Sequence, residues 1–179
     1  MNLDRREAPS PYDFLPVVPS FEVTSTDVTD GAQMPATFAH TSAGGGDISP
    51  QLAWSGFPAQ TASFAVTCFD PDAPTGCGWW HWLLLDVPAS VTSLAQGVGS
   101  EAGDQLPPGA WHLTNSYGTA AFGGAAPPPG DYPHKYVFAV HALDVDQLGI
   151  DGSVSQEVAG FNLTAHTIAR GVIVPTYAH

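Results

Sequence analysis

Apolar residues fall in short runs divided by glycine and proline, and each run reads best as a strand. ASFAVTCFD (62–70) is apolar or β-branched on both alternating faces, as a strand inside a sheet is. HWLLLDVP (81–88) and YVFAVHALDV (136–145) share this two-sided character, which predicts that they too run through the middle of a sheet. FEVTSTDV (21–28) predicts a first strand ending at Asp30-Gly31, and QLAWSGFP (51–58) a short one closed by Gly56-Phe57-Pro58. Residues 98–118 alternate weakly and are the least readable part. One segment breaks the strand pattern. Ser153 and Gln156 have capping-box spacing, and Val158, Phe161, Ala165, Ile168 and Val172 recur at helical intervals. A helix over about 154–171 is predicted within an otherwise all-β domain.

Composition supports one domain. The 19 glycines and 17 prolines of the 179 residues are dispersed between apolar runs rather than gathered into linkers. A chain of this length buries roughly 70% of its unfolded surface, enough for a core without disulfides or metals. The polar start reads as a flexible N-terminal arm (1–14), followed by a single domain over 15–179. It has no apolar leader segment, and no apolar run approaches a membrane span. Cys68 and Cys77 form neither a metal pattern nor a disulfide framework, so a cytoplasmic location is expected.

Charge narrows the partners. Seventeen acidic residues oppose four basic ones (Arg5, Arg6, Lys135 and Arg170), for a formal charge of −13. This excludes a nucleic-acid footprint and argues against stable association with an anionic membrane.

Two segments carry candidate chemistry. In DPDAPTGCGWWHW (70–82), Asp70 and Asp72 are expected on one side of a backbone stiffened by Pro71 and Pro74. His81 opens the next strand and is expected to face the same way as Leu83 and Leu85. In FGGAAPPPGDYPHKY (122–136), Gly123 and Gly124 free the backbone to approach a ligand, and His134 and Tyr136 share a face that Lys135 leaves. Each segment is a Gly/Pro loop followed by a histidine at a strand start. If the two strands are neighbours, His81, His134 and Asp70 converge in a small pocket rimmed by Trp79 and Tyr136, which offers imidazole and loop N–H donors to an anion. His141 reads as a buried strand residue and His166 as a helical one. Asp70, His81 and His134 are a donor set suited to Zn²⁺, but no pair has helical ligand spacing, and no metal or cofactor is assigned.

The paired motifs, with SPQLAWSGFP (49–58) and GFNLTAHTIARG (160–171), resemble the phosphatidylethanolamine-binding protein family, specifically its bacterial and archaeal Raf kinase inhibitor-like branch. The resemblance spans about residues 15–177. It implies a large central antiparallel sheet packed on a second, smaller sheet, with a few short helices. It also implies a pocket for phosphate-type head groups lined by Asp70, His81, His134 and Tyr136, with Asp72, Pro74, Trp79, Gly124, Pro127 and Pro128 in the surrounding wall. A cis Ala73–Pro74 bond and a homodimer are implied as well. Ala126 stands where the eukaryotic branch usually has glycine, which narrows the approach of a ligand. The expected function is therefore binding of a small anionic or phosphorylated ligand rather than catalysis. The alternatives are a weak hydrolase using Asp70 and His81, and a protease or kinase inhibitor acting through protein contacts.

Overall fold

Residues 63–70 form the central strand of a five-stranded antiparallel sheet in the computed structural model, which describes residues 4–179. In chain order the elements are β1 (Glu22–Thr24), β2 (Leu52–Ser55), β3 (Ser63–Asp70), β4 (Trp79–Pro88), β5 (Ser93–Leu94), β6 (Trp111–His112), β7 (His134–Lys135), β8 (Val137–Leu143), α1 (Gln156–His166), β9 (Thr167–Ile173) and β10 (Thr176–Tyr177). The main sheet runs β6-β4-β3-β8-β9, so the three two-sided apolar segments lie side by side within it. A smaller antiparallel sheet, β1-β2-β5, covers one face, and α1 covers the other. Phe64, Val66, Phe138 and Val140 meet Leu52, Trp54 and Leu94 on the first side. Ala65, Leu83, Leu85 and Leu143 meet Ala159 and Leu163 on the second. The fold is mainly β, with the large sheet packed on the small one. No helix among the described residues is long and apolar enough to cross a membrane.

The helix is shorter than its periodicity predicts. Its N-cap is Ser155, whose hydroxyl accepts from the Val158 amide, while Ser153 is held in a turn by Asp151. At Thr167 the chain changes to a strand that pairs with β8 from Thr167 to Ile173. The edge of β8 exposes a row of unpaired amides and carbonyls, and four β-branched residues in TIARGVI suit a strand that satisfies them. Tertiary demand overrides a weak helical period here.

Two bulges in β4 decide which side chains reach which face. One lies where Phe64 and Val66 oppose Val87 and Leu84. Asp86 sits there at φ 55°, and its carboxylate accepts from Trp111 Nε1 and the Leu148 amide. The second inserts His81 between Trp82, opposite Cys68, and Trp80, opposite Phe69. Strict alternation would put His81 with Leu83 and Leu85 on the helix face. The extra residue turns it instead to the face of Asp70. The side expected for His81 from alternation is thus corrected.

The segment expected to be a loose arm lies, from residue 4 on, against the body. A 3-10 turn spans Pro11–Phe14, and the Ala8 amide donates to Asp72. Every peptide bond among the described residues is trans, Ala73–Pro74 included, which corrects the cis expectation.

Candidate functional site

The end of β3, the start of β4 and the two-residue β7 meet at one end of the main sheet. Asp70 is the last residue of β3, directly opposite Trp79. His134 belongs not to the long strand that follows it but to a separate pairing with β10, where it opposes Tyr177. A cavity of about 310 Å³ opens between these strand ends. Six of the expected side chains line it: Asp70, Pro74, Trp79, His81, Pro128 and His134. Ala126 lines it too, as does Tyr117, whose ring stands edge-on to both Trp79 and His81.

The other four lie behind the wall. Tyr136 is buried and packs edge-on against His81, with ring centres 5.0 Å apart. Burial and the nearby Asp70 push its phenol far above the ordinary tyrosine value, so it stays protonated. Pro127 is buried. Gly124 allows a close backbone approach within the fold. A Cβ there would lie 2.2 Å from the carbonyl carbon of Ala39, where residues 39 and 125 bridge. Gly124→Ala should therefore destabilise the fold by at least about 1–3 kcal/mol, read as a lower urea midpoint. An unchanged midpoint would show that the crossing strands can separate freely.

Asp72 is a clamp rather than a second pocket carboxylate, and its expected place beside Asp70 is corrected. It is fully buried. Its oxygens accept from Lys135 Nζ at 2.9 Å, the Lys135 amide at 3.0 Å, the Ala8 amide at 2.8 Å and the Tyr132 hydroxyl at 3.0 Å. Burial works against its charge, but these donors outweigh it and hold the carboxyl below the ordinary carboxylate range. Its own amide donates to Asp70 Oδ1 at 2.7 Å, so the turn has opposite jobs for its two acids.

His134 is the centre of a chain of alternating charge. Its Nδ1 lies 2.7 Å from Asp70 Oδ2 and its Nε2 2.9 Å from Asp131 Oδ2. Arg5 Nη2 reaches the same Asp131 oxygen at 2.5 Å, and Arg5 Nη1 donates to the Tyr132 hydroxyl. A carboxylate oxygen on each ring nitrogen favours the form with hydrogen on both, and Arg5 Nη2 also lies 3.2 Å from Nε2. Burial opposes the imidazolium, yet the two carboxylates prevail and raise its pKa. Asp131 follows the same balance in reverse, as burial is outweighed by His134 and Arg5 and its carboxyl is held low. The sequence reading missed Asp131 and Arg5, although the Asp131–His134 spacing in GDYPH was available as a signal.

His81 is in a different state. Its Nδ1 faces the carbonyl oxygens of Gly123 at 2.8 Å and Gly124 at 3.1 Å. Carbonyls accept only, so Nδ1 carries the proton. Full burial lowers the pKa despite the neighbouring Asp70, and the ring is neutral at pH 7. Nε2 is then a bare lone pair, buried and without a partner. Trp79 Nε1 is likewise a buried donor with no partner. Both belong to side chains that line the cavity, which therefore holds one unused donor and one unused acceptor on its walls.

Motif pair, bulged histidine and carboxylate-flanked histidine occur together in a chain that matches, over residues 24–178, the sequence pattern described as phosphatidylethanolamine-binding protein. The chain belongs to the phosphatidylethanolamine-binding protein family. It is 46% identical over 160 residues to UPF0098 protein YbcL of Escherichia coli, covering 88% of this chain and 87% of that one. It is 41% identical over 159 residues to UPF0098 protein YbhB of the same organism, covering 88% and 99%. The crystal structure of E. coli YbcL, described as a new member of the mammalian PEBP family, matches with a TM-score of 0.87 at 44% identity, covering 89% of this chain and 99% of that one. The phosphatidylethanolamine-binding protein fold thus accounts for the main sheet and the smaller sheet packed on it.

Proposed function

We propose that the cavity binds a small anion, a phosphate or a phosphorylated head group such as phosphoethanolamine, without turning it over. The observation that carries this reading is the unpartnered pair on the cavity wall, Trp79 Nε1 and His81 Nε2. A bound acid oxygen accepts from the indole N–H, and a proton shared with His81 Nε2 completes the second contact. No lysine or arginine lines the cavity, so recognition rests on these two groups. Family membership supports the same ligand class. The hydrolase alternative loses ground because Asp70 is committed to His134, and Nδ1 of His81 to two carbonyls, so they form no acid/base dyad. A catalytic metal fits poorly as well. Both nitrogens of His134 and one of His81 are already occupied.

Calorimetric titration with inorganic phosphate and with phosphoethanolamine near pH 6 tests the proposal. Saturable binding around or below about 1 mM is expected. Trp79→Phe, which removes the indole N–H and keeps an aromatic ring, should weaken it about tenfold, the effect of one charge-assisted hydrogen bond. Absence of binding to either ligand, or hydrolysis of a phosphomonoester that His81→Ala abolishes, would overturn the reading.

A further inference from the structure

The opposite face of the main sheet holds a second cavity, unrelated to the anion site. It measures about 360 Å³ and opens between the Pro11–Phe14 turn and α1, within the roughly 300–1,000 Å³ range of small-molecule sites. Phe69 and Trp80, paired across β3 and β4, form its floor, and Phe161 and Leu163 of α1 form a wall. Phe161 leaves 76% of its surface exposed.

The cavity's lining includes one cation and no carboxylate. Arg170 of β9 stands directly opposite His141 of β8, so both rise from this face. Its guanidinium carbon lies 3.9 Å above the Tyr12 ring, and its Nε is buried without a partner. Ion pairs among the described residues engage Arg5 and Lys135 but not Arg170. His141 adds no charge. Thr167 Oγ1 donates to the Leu163 carbonyl, so it accepts from His141 Nδ1, and Nε2 faces the Tyr12 and Thr67 hydroxyls at 3.4 Å each. Burial, with Arg170 nearby, pushes its pKa down to about 3. Thus a single unpaired, partly desolvated cation is set in an apolar cavity in a chain of net charge −13.

The complement of such a site is an amphiphile with one negative charge. A phosphomonoester dianion would bring a second charge with no partner, whereas a carboxylate matches the guanidinium fork charge for charge. We propose that this cavity is a second binding site, for a medium-chain alkyl or aryl carboxylate whose head group pairs with Arg170 and whose tail lies against Phe69, Trp80 and Phe161. The proposal does not depend on the anion site.

Decanoate and decanol, titrated calorimetrically below micelle formation, test it. The protein should bind decanoate saturably and at least about tenfold more tightly than decanol. Arg170→Gln should erase that preference while leaving phosphate binding at the other site unchanged. Gly160→Leu should abolish both ligands, because a Cβ at Gly160 lies 4.0 Å from Trp80 Cζ2 and a longer side chain grows into the cavity. If that variant does not fold, the decanoate–decanol comparison between the wild type and Arg170→Gln decides alone. Lack of saturable decanoate binding, or a preference that survives Arg170→Gln, overturns the proposal. So does a dimer that Phe161→Ser dissociates and decanoate does not, since that outcome gives the face to a second copy of the chain.

Discussion

His134→Ala should destabilise the protein by about 3–5 kcal/mol at neutral pH, as removing one partner of a buried ion pair does. His134 is 1% exposed and stands between the side chains of Asp70 and Asp131, which are 4% and 0% exposed. Alanine leaves two buried carboxylates near each other, with Arg5 able to answer only Asp131. The pH dependence identifies the cause. In the wild type, the raised His134 pKa means that its contribution is complete below the ordinary histidine value of about 6.5 and is lost as pH rises through the raised value. The lowered carboxyls of Asp72 and Asp131 act at the other end. Their contribution is complete above about 3.9 and is lost as pH falls through the lowered values. Wild-type stability should therefore form a plateau between these limits. In the variant the orphaned carboxylates can take up protons as the medium is acidified, so the gap to the wild type should close toward about pH 4. Urea unfolding at several pH values measures this. A loss under about 1 kcal/mol at pH 7, or a gap that does not change with pH, would falsify the charge-chain account.

The second large effect is the coupling of anion binding to proton uptake. Both ring nitrogens of His134 are engaged by carboxylates, so it has no free N–H to give a ligand. His81 is neutral with a bare Nε2, and it must gain a proton to donate to an anion. Formate does not titrate near neutrality and so isolates the protein's own proton. Its affinity should fall about tenfold per pH unit above the lowered His81 pKa. Calorimetry at pH 7 in two buffers of different ionisation enthalpy should find close to one proton taken up per formate. A flat affinity profile with no uptake would leave the Trp79 N–H as the main donor and remove His81 from recognition.

The legible and the illegible parts of this chain divide along a physical line. The three interior strands could be read because a strand buried on both faces must be apolar at every position, and that constraint is written locally. The loops 70–82 and 122–136 could be read as one site because their histidines, carboxylates and prolines are dense. Tyr117 was not, since it lies in a segment with little periodicity and reaches the cavity by loop geometry alone. The helix boundary was misplaced because residues 167–173 carry a weak helical period, and only the open edge of β8 makes a strand there worth more.

By itself, then, the sequence determined the layered β architecture, the family and most of the cavity lining. Tertiary structure alone decided the roles within the site. One inserted residue in β4 turned His81 toward Asp70, and Asp72 was drawn away to Lys135. Protonation followed from neighbours brought together across the chain. Two carboxylates raise the pKa of His134, while burial and two carbonyls keep His81 neutral with its lone pair bare. Local sequence sets which groups are present, but the charge state of a histidine depends on desolvation and on partners dozens of residues away, and these exist only once the sheet has formed.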